Sequence, residues 1–188
     1  GGEHSIRGGQ LDAVLVGLWL DADGGQMAVE AGFDGVYTYF AADGFSFGST
    51  SNRWASMASF SREHGLLFIP SVGPGYDDSK IRPWNRANTK SRDGGRYYDR
   101  MWERALASGA SVVSVTSYNE WGEGTQIEAA VPTVVPEAGR LDETTRKGLQ
   151  LGDHYADYAP HGPHYYLNRT LYWAERLSAR ENSQRSEL

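Results

Sequence analysis

Asp12-Ala13-Val14-Leu15-Val16-Gly17-Leu18-Trp19-Leu20 is a continuous apolar run of strand length. A strand with one wet face alternates apolar and polar residues. A run without alternation suits a strand covered on both faces, as in a parallel sheet flanked by helices. Downstream, the pattern repeats. Gly24 to Ala31 reads as a short helix, and Phe33-Asp34-Gly35-Val36-Tyr37-Thr38-Tyr39-Phe40 as a second strand rich in β-branched and aromatic residues. After a Gly/Ser stretch from Asp43 to Ser51, Ser51 or Asn52 is placed to cap a helix running to about His64. Gly65 suits the position after its end. Leu66-Leu67-Phe68-Ile69-Pro70 predicts a third strand, ended by a proline that cannot donate to a ladder.

Ser71 to Gly95 is dense in Gly, Pro, Asp and Asn and predicts a long loop. Tyr97, Met101, Ala105 and Leu106 then mark one face of a helix over Arg96 to Ser108, closed by Gly109. Ser111-Val112-Val113-Ser114-Val115-Thr116-Ser117 is the fourth predicted strand. Val131 to Gly152 reads as a surface excursion. Tyr165 to about Arg180 is a last helix with Tyr166, Leu167, Thr170, Leu171, Trp173, Ala174 and Leu177 as its apolar set. Residues 1–180 thus form one domain, and 181–188 a polar tail.

Strands alternating with helices are the signature of a parallel sheet. Four such units are half of a (β/α)8 TIM barrel, which takes about 250 residues when whole. This chain has 188. It is therefore read either as a fragment, half of a barrel, or as an open doubly wound sheet. No G-x-G-x-x-G follows the first strand, which counts against a dinucleotide-binding version of the latter. Gly1-Gly2-Glu3-His4-Ser5 has neither Met nor a signal-peptide pattern, and is expected of a piece of a longer polypeptide.

A formal net charge of -6 argues against a nucleic-acid partner. The absence of cysteine excludes disulfides, thiolate nucleophiles and cysteine-ligated zinc. No apolar run is long enough to span a membrane. No H-E-x-x-H, calcium loop or G-x-S-x-G elbow is present, so neither a metal nor a cofactor is expected. His161-Gly162-Pro163-His164 spaces two imidazoles around a proline that blocks a helix. The sequon Asn168-Arg169-Thr170 falls within the last predicted helix. Trp (6), Tyr (11) and Phe (6) are the one compositional skew; core packing accounts for them, and so does a carbohydrate cleft.

In barrels of this class, polar groups just past strand C-termini are the default catalytic set. Tyr37 and Tyr39 end the second strand; Ser71 to Asp78 and then Arg82-Pro83-Trp84-Asn85 follow the third; Asn119-Glu120-Trp121-Gly122-Glu123 follows the fourth. Glu120 and Glu123 are three apart. On one turn of helix such positions place their Cβ atoms about 5–6 Å apart. Retaining glycosidases hold two carboxyl groups about 5–5.5 Å apart, inverting ones about 6.5–9.5 Å. A Glu-x-x-Glu pair is also common on exposed turns, so spacing alone leaves a solvated acidic turn open. Arg82 offers a planar fork of donors and Trp84 a stacking face, and either also serves as a loop anchor.

Taken in order, Ala31 to Phe40, Gly44 to Ser49, Phe68 to Tyr76, Ile81 to Asn85, Thr116 to Trp121, Glu123 to Glu128 and Asp157 to His161 resemble glycoside hydrolase family 99, the endo-α-1,2-mannosidases. The resemblance covers about residues 12–180. It implies a (β/α)8 barrel whose first half is not in this chain. It implies retaining hydrolysis of an α-1,2-mannosidic bond in glucosylated high-mannose N-glycans, without metal, through a 1,2-anhydro sugar. By motif position, Glu120 becomes the base that deprotonates the sugar 2-hydroxyl and Glu123 the acid/base. Tyr39 falls near the reacting sugar and Arg82 in the cleft; Tyr76, Trp84, Asn85, Asn119 and Trp121 complete the expected sugar-binding set. Gly122 stands where relatives often carry His, and the Thr133 to Gly152 excursion is longer than usual. Animal members are Golgi type II membrane proteins, so the resemblance implies the Golgi lumen and membrane contact only through an upstream anchor. The alternative is a catalytically incompetent carbohydrate-binding fragment.

Overall fold

The computed structural model describes residues 6–130 and 158–186, with side chains to residue 183. The expected excursion over Val131 to Gly152 and the motif residue Asp157 lie outside the described residues. The strands are β1 (Val16–Leu18), β2 (Gly35–Tyr37), β3 (Leu67–Ile69), β4 (Ser71–Val72) and β5 (Ser114–Val115). Helices α1 (Gly24–Glu30), α2 (Trp54–Glu63), α3 (Arg96–Ala107) and α4 (Tyr165–Ser186) alternate with or follow them. All strand pairings are parallel, β1 with β2, β2 with β3, and β4 with β5.

Pro70 divides what is otherwise one strand. Without an N–H it interrupts the ladder between β3 and β4. Side chains carry the pairing across the gap. The Ser71 amide donates to Thr38 Oγ1 at 2.8 Å, and the Tyr39 amide donates to Ser71 Oγ at 2.7 Å. Thr38 and Ser71 are both fully buried. On the other side, Ser114 N–H reaches Pro70 O at 3.1 Å and Thr116 N–H reaches Val72 O at 2.9 Å. The parallel order is thus β1, β2, β3/β4, β5. The long loop expected over Ser71 to Gly95 instead begins with β4. It also contains short 3-10 turns at Pro83–Asn88 and Asp93–Gly95 and an antiparallel bridge between Tyr76 and Lys90.

Helix ends follow local chemistry. The first turn before α2 is a 3-10 turn, Ser51–Arg53, and neither Ser51 nor Asn52 caps it through its side chain. The Asp43 carboxylate does that work from the preceding loop, accepting the Ser51 amide at 2.8 Å. At the other end Gly65 adopts φ +69, with Gly65 N–H to Arg62 O and Leu66 N–H to Ser61 O. This is the Schellman arrangement that glycine permits without a Cβ clash.

The helices cover one side of the sheet. Tyr97, Tyr98, Met101, Trp102 and Ala105 make the buried face of α3, in the expected spacing. Tyr166 and Trp173 dock α4 on it, with Trp102 and Trp173 stacked at 6.4 Å. Asp99 accepts from Arg169 Nε at 3.0 Å and Trp173 Nε1 at 2.9 Å, locking the two helices in register. Leu171, expected in the apolar set, points outward and is 60% exposed, because one turn of a helix cannot bury both Leu171 and Trp173 against the same neighbour. The helix also continues through Ser186, past the last apolar position.

The opening strand departs from expectation. Only Val16–Leu18 is paired, Val14 is 74% exposed, and Leu18 and Leu20 are about two-fifths exposed. β1 is an edge among the described residues, and Leu18 on it is left partly exposed. There the parallel strands do not close into a barrel.

Candidate active site

The C-terminal ends of β2, β4 and β5 open into one cleft of about 470 Å³. Tyr37 and Tyr39 line it from β2, Ser71 from β4, Thr116 and Ser117 from the end of β5, and Asn119, Glu120 and Glu123 from the loop beyond. Its size falls in the range of small-ligand sites. Tyr39 is held in the left-handed region at φ +59. Its amide is fixed by Ser71 Oγ, its carbonyl by Thr116 Oγ1, and its ring meets Tyr37 and Phe40 edge-on. Such a conformation is unfavourable for a large side chain and persists only where the surroundings enforce it.

The loop carrying both glutamates is a closed turn rather than a helix. Ser117 N–H bonds Thr125 O at 2.9 Å, and Ser117 Oγ meets Thr125 Oγ1 at 2.8 Å across its neck. Ser117 Oγ also accepts the Glu120 amide at 2.9 Å. The Glu120 carboxylate accepts the Gly122 amide at 3.0 Å. Outside contacts fix the turn further. Arg92 Nη2 donates to Gly124 O and Gln126 O at 3.0 and 2.8 Å, while its guanidinium lies over Tyr158 and Tyr166. Asp77 N–H donates to Glu123 O at 2.8 Å, and Gly124, at φ +61, leaves Asp77 room to approach. Trp121 Nε1 donates to Glu128 at 3.0 Å, and its ring packs against the core.

Behind Glu123 lies a polar network. Arg82 Nη1 donates to Glu123 Oε1 at 2.8 Å and to Asp78 Oδ2 at 3.1 Å. Asp78 Oδ2 also accepts Tyr76 Oη and Asn85 Nδ2, both at 2.9 Å. Burial pushes the Asp78 carboxyl up, but the donors from Asn85, Arg82 and Tyr76 outweigh it and hold it below the ordinary carboxylate value. Arg82 is raised, first by its bond to Glu123 and then by Asp78. Tyr76 is pushed up to about 12, by burial first and by the two carboxylates after it.

Of the residues singled out from sequence, Tyr39, Asn119, Glu120 and Glu123 line the cleft together. Tyr76, Arg82 and Asn85 are brought close: Tyr76 Oη, Asn85 Nδ2 and Arg82 Nη1 all bond Asp78, and Arg82 Nη1 also bonds Glu123, while the Arg82 side chain remains 43% exposed. Trp121 supports the turn from behind. Trp84 is 81% exposed and lies outside the cleft lining. Asp78 and Arg92 were not singled out as site residues. For Asp78 the signal was its i, i+4 spacing to Arg82; for Arg92 no local signal existed, since its partners are more than 30 residues away. Among the described residues no three His, Cys, Asp or Glu side chains converge, and His161 stacks on Tyr165 instead.

The profile of the family described as Glycosyl hydrolase family 99 matches residues 1–179. A human glycoprotein endo-alpha-1,2-mannosidase-like protein is 46% identical over 176 residues, covering 94% of this chain and 35% of the relative. A rat glycoprotein endo-alpha-1,2-mannosidase is 42% identical over 177 residues, with 94% and 35% covered. Among solved structures, the GH99 endo-alpha-mannosidase from Bacteroides thetaiotaomicron, in complex with BIS-TRIS-Propane, superposes with a TM-score of 0.84. It is 44% identical, and the match covers 97% of this chain and 52% of that one. A second structure of that enzyme gives 0.81 at 45% identity, with 94% and 48% covered. The chain therefore spans about half the length of the solved relatives and about a third of the curated ones.

Proposed function

The chain belongs to glycosyl hydrolase family 99, and on that premise we propose that it carries the catalytic carboxylates of a retaining endo-α-1,2-mannosidase acting on glucosylated high-mannose N-glycans. The observation that carries the reading is the placement of Glu120 and Glu123 on one rigid turn, both lining a cleft at the C-terminal ends of parallel strands. The fold that completes it is a (β/α)8 barrel of which this chain supplies four βα units. The same reading puts the work in the Golgi lumen, with any membrane anchor outside this chain. No helix among the described residues is long and apolar enough to cross a membrane.

In an α-mannoside the 2-hydroxyl and the C1–O bond are trans and both axial, the alignment that backside attack requires. Glu120 takes the 2-hydroxyl proton, O2 attacks C1, and the C1–O bond to the leaving sugar breaks as Glu123 protonates its oxygen. The product is a 1,2-anhydro sugar. Water then attacks C1 while ionised Glu123 accepts its proton, the C1–O2 bond breaks, and O2 recovers its proton from Glu120. Two inversions give retention. Tyr39 and Asn119 line the cleft where the reacting sugar would lie, and Arg82 fixes the Glu123 carboxylate. Tyr76 and Asn85 act behind it, Trp121 braces the turn, and Trp84 offers an exposed ring for outlying sugars.

A second reading, a carbohydrate-binding fragment without turnover, is favoured by the partly exposed edge strand β1. One experiment separates them. The 188-residue chain is assayed on a glucosylated mannose oligosaccharide alone, and fused to the half of the Bacteroides thetaiotaomicron enzyme that it does not cover. Release by the fusion only is the expected result. No release by either, with the fusion folded, overturns the enzyme reading.

A further inference from the structure

Glu123 must hold a proton when the leaving group departs, yet a guanidinium lies against it. Arg82 Nη1 is 2.8 Å from Glu123 Oε1. The same nitrogen is 3.1 Å from Asp78 Oδ2, and Asp78 is not among the residues that line the cleft. Asp78 is fully buried, and Tyr76 and Asn85 aim two further donors at that oxygen. A buried carboxylate with three donors has one fixed position. It therefore fixes the guanidinium that bridges from it.

We propose that Asp78 is a positioning residue for Glu123: it holds Arg82 against the carboxylate and offsets the guanidinium charge there, so that Glu123 can carry the proton that the leaving group needs. The inference rests on the catalytic reading of Glu123. A single nitrogen, Arg82 Nη1, bonds both carboxylates, so the position that Asp78 gives it is the position from which it meets Glu123. Removing the negative charge of Asp78 while keeping its shape leaves Arg82 facing Glu123 uncompensated. The other titratable groups around Glu123 are Tyr76 and Asp77 from the same segment as Asp78, Asp77 bonding Glu123 O through its amide, Glu120 from its own turn, and Tyr37 and Tyr39 across the cleft. None of these bonds to Arg82 Nη1 in the way that Asp78 does.

The test reads Glu123 directly and needs no turnover. The whole chain is labelled with carboxyl-¹³C glutamate, the Glu123 resonance is assigned by its loss in Glu123→Gln, and its titration midpoint is followed by NMR. Asp78→Asn should lower the midpoint by about one pH unit. Arg82→Gln should raise it, and Asp78→Asn added to Arg82→Gln should shift it by less than half as much as in the native background. Asp78→Glu, which keeps the charge, should restore a near-native midpoint. An unchanged midpoint in Asp78→Asn with a native amide spectrum overturns the proposal, as does an equal shift in both backgrounds. If Asp78→Asn does not fold, Arg82→Gln decides: a midpoint that fails to rise overturns it. Absence of glycan hydrolysis would leave all these readings intact and would count against the catalytic reading alone.

Discussion

At Glu123 a carboxylate oxygen is held by a guanidinium, whereas at Glu120 the oxygen is held by the Gly122 amide. Two chemically identical side chains three residues apart thus meet different surroundings, which is how paired carboxylates come to divide acid and base roles. In the fused enzyme, Glu123→Gln should lower turnover on the oligosaccharide by roughly 10²–10⁴-fold, the usual worth of a positioned acid/base. Near-native steady-state rates would remove Glu123 from that role. Tyr39 tests a different balance. Its φ of +59 suits glycine, and its side chain is 46% exposed, so little burial is lost on truncation. Tyr39→Gly should change thermal stability by no more than about 1 kcal/mol, because relief of backbone strain offsets lost contacts. It should weaken oligosaccharide binding, read by calorimetry, at least tenfold. Tyr39 was legible in sequence as a group at a strand end. Its left-handed backbone was not, since that depends on Ser71 and Thr116 gripping its amide and carbonyl from other strands.

Pro70 shows how an element's boundary can be read correctly and its continuation missed. The proline does end β3, but the chain stays in the sheet as β4 because Thr38 and Ser71 replace the missing ladder bonds. Ser71→Ala leaves the Tyr39 amide without its acceptor and should cost about 1–3 kcal/mol in denaturant unfolding. A loss under half a kilocalorie (roughly 0.5 kcal/mol) would mean the amide finds another partner. The segment from Tyr76 to Asn88 carries a pH dependence of its own. Asp78 is held below the ordinary carboxylate value, so its contribution is present above the unfolded value of about 3.9 and is lost as pH falls through the lower folded value. Amide exchange in that segment should accelerate more steeply below about pH 4 than in α3, and Asp78→Asn should flatten the difference. Equal slopes in both regions would dissociate Asp78 from loop stability. From composition this stretch reads as loop; its internal order arises from one buried carboxylate gathering three donors, which no periodicity announces.

On the scale of the molecule, the uncovered side of β1 is the main physical liability. Leu11 and Val14 before β1, Leu18 on it, Leu20 after it and Met27 on α1 are all exposed, and β1 has no second neighbour among the described residues. Exposed apolar edges template association. The 188-residue chain should show concentration-dependent self-association in sedimentation velocity, reduced by Leu18→Lys with Leu20→Lys. A monomer at all concentrations would mean that this face is covered by other means. The sequence by itself determined the parallel α/β order, the buried face of α3, the glycine stop after α2 and the position of Glu120 and Glu123 just past a strand end, because those follow from local periodicity, φ preferences and motif order. Only the tertiary structure decided that Tyr76, Arg82 and Asn85 turn toward Asp78, that Arg92 clamps the turn carrying Glu120 and Glu123, and that β1 is an edge among the described residues. Each depends on partners far apart in the chain, and burial and hydrogen-bond competition are settled only when those partners meet.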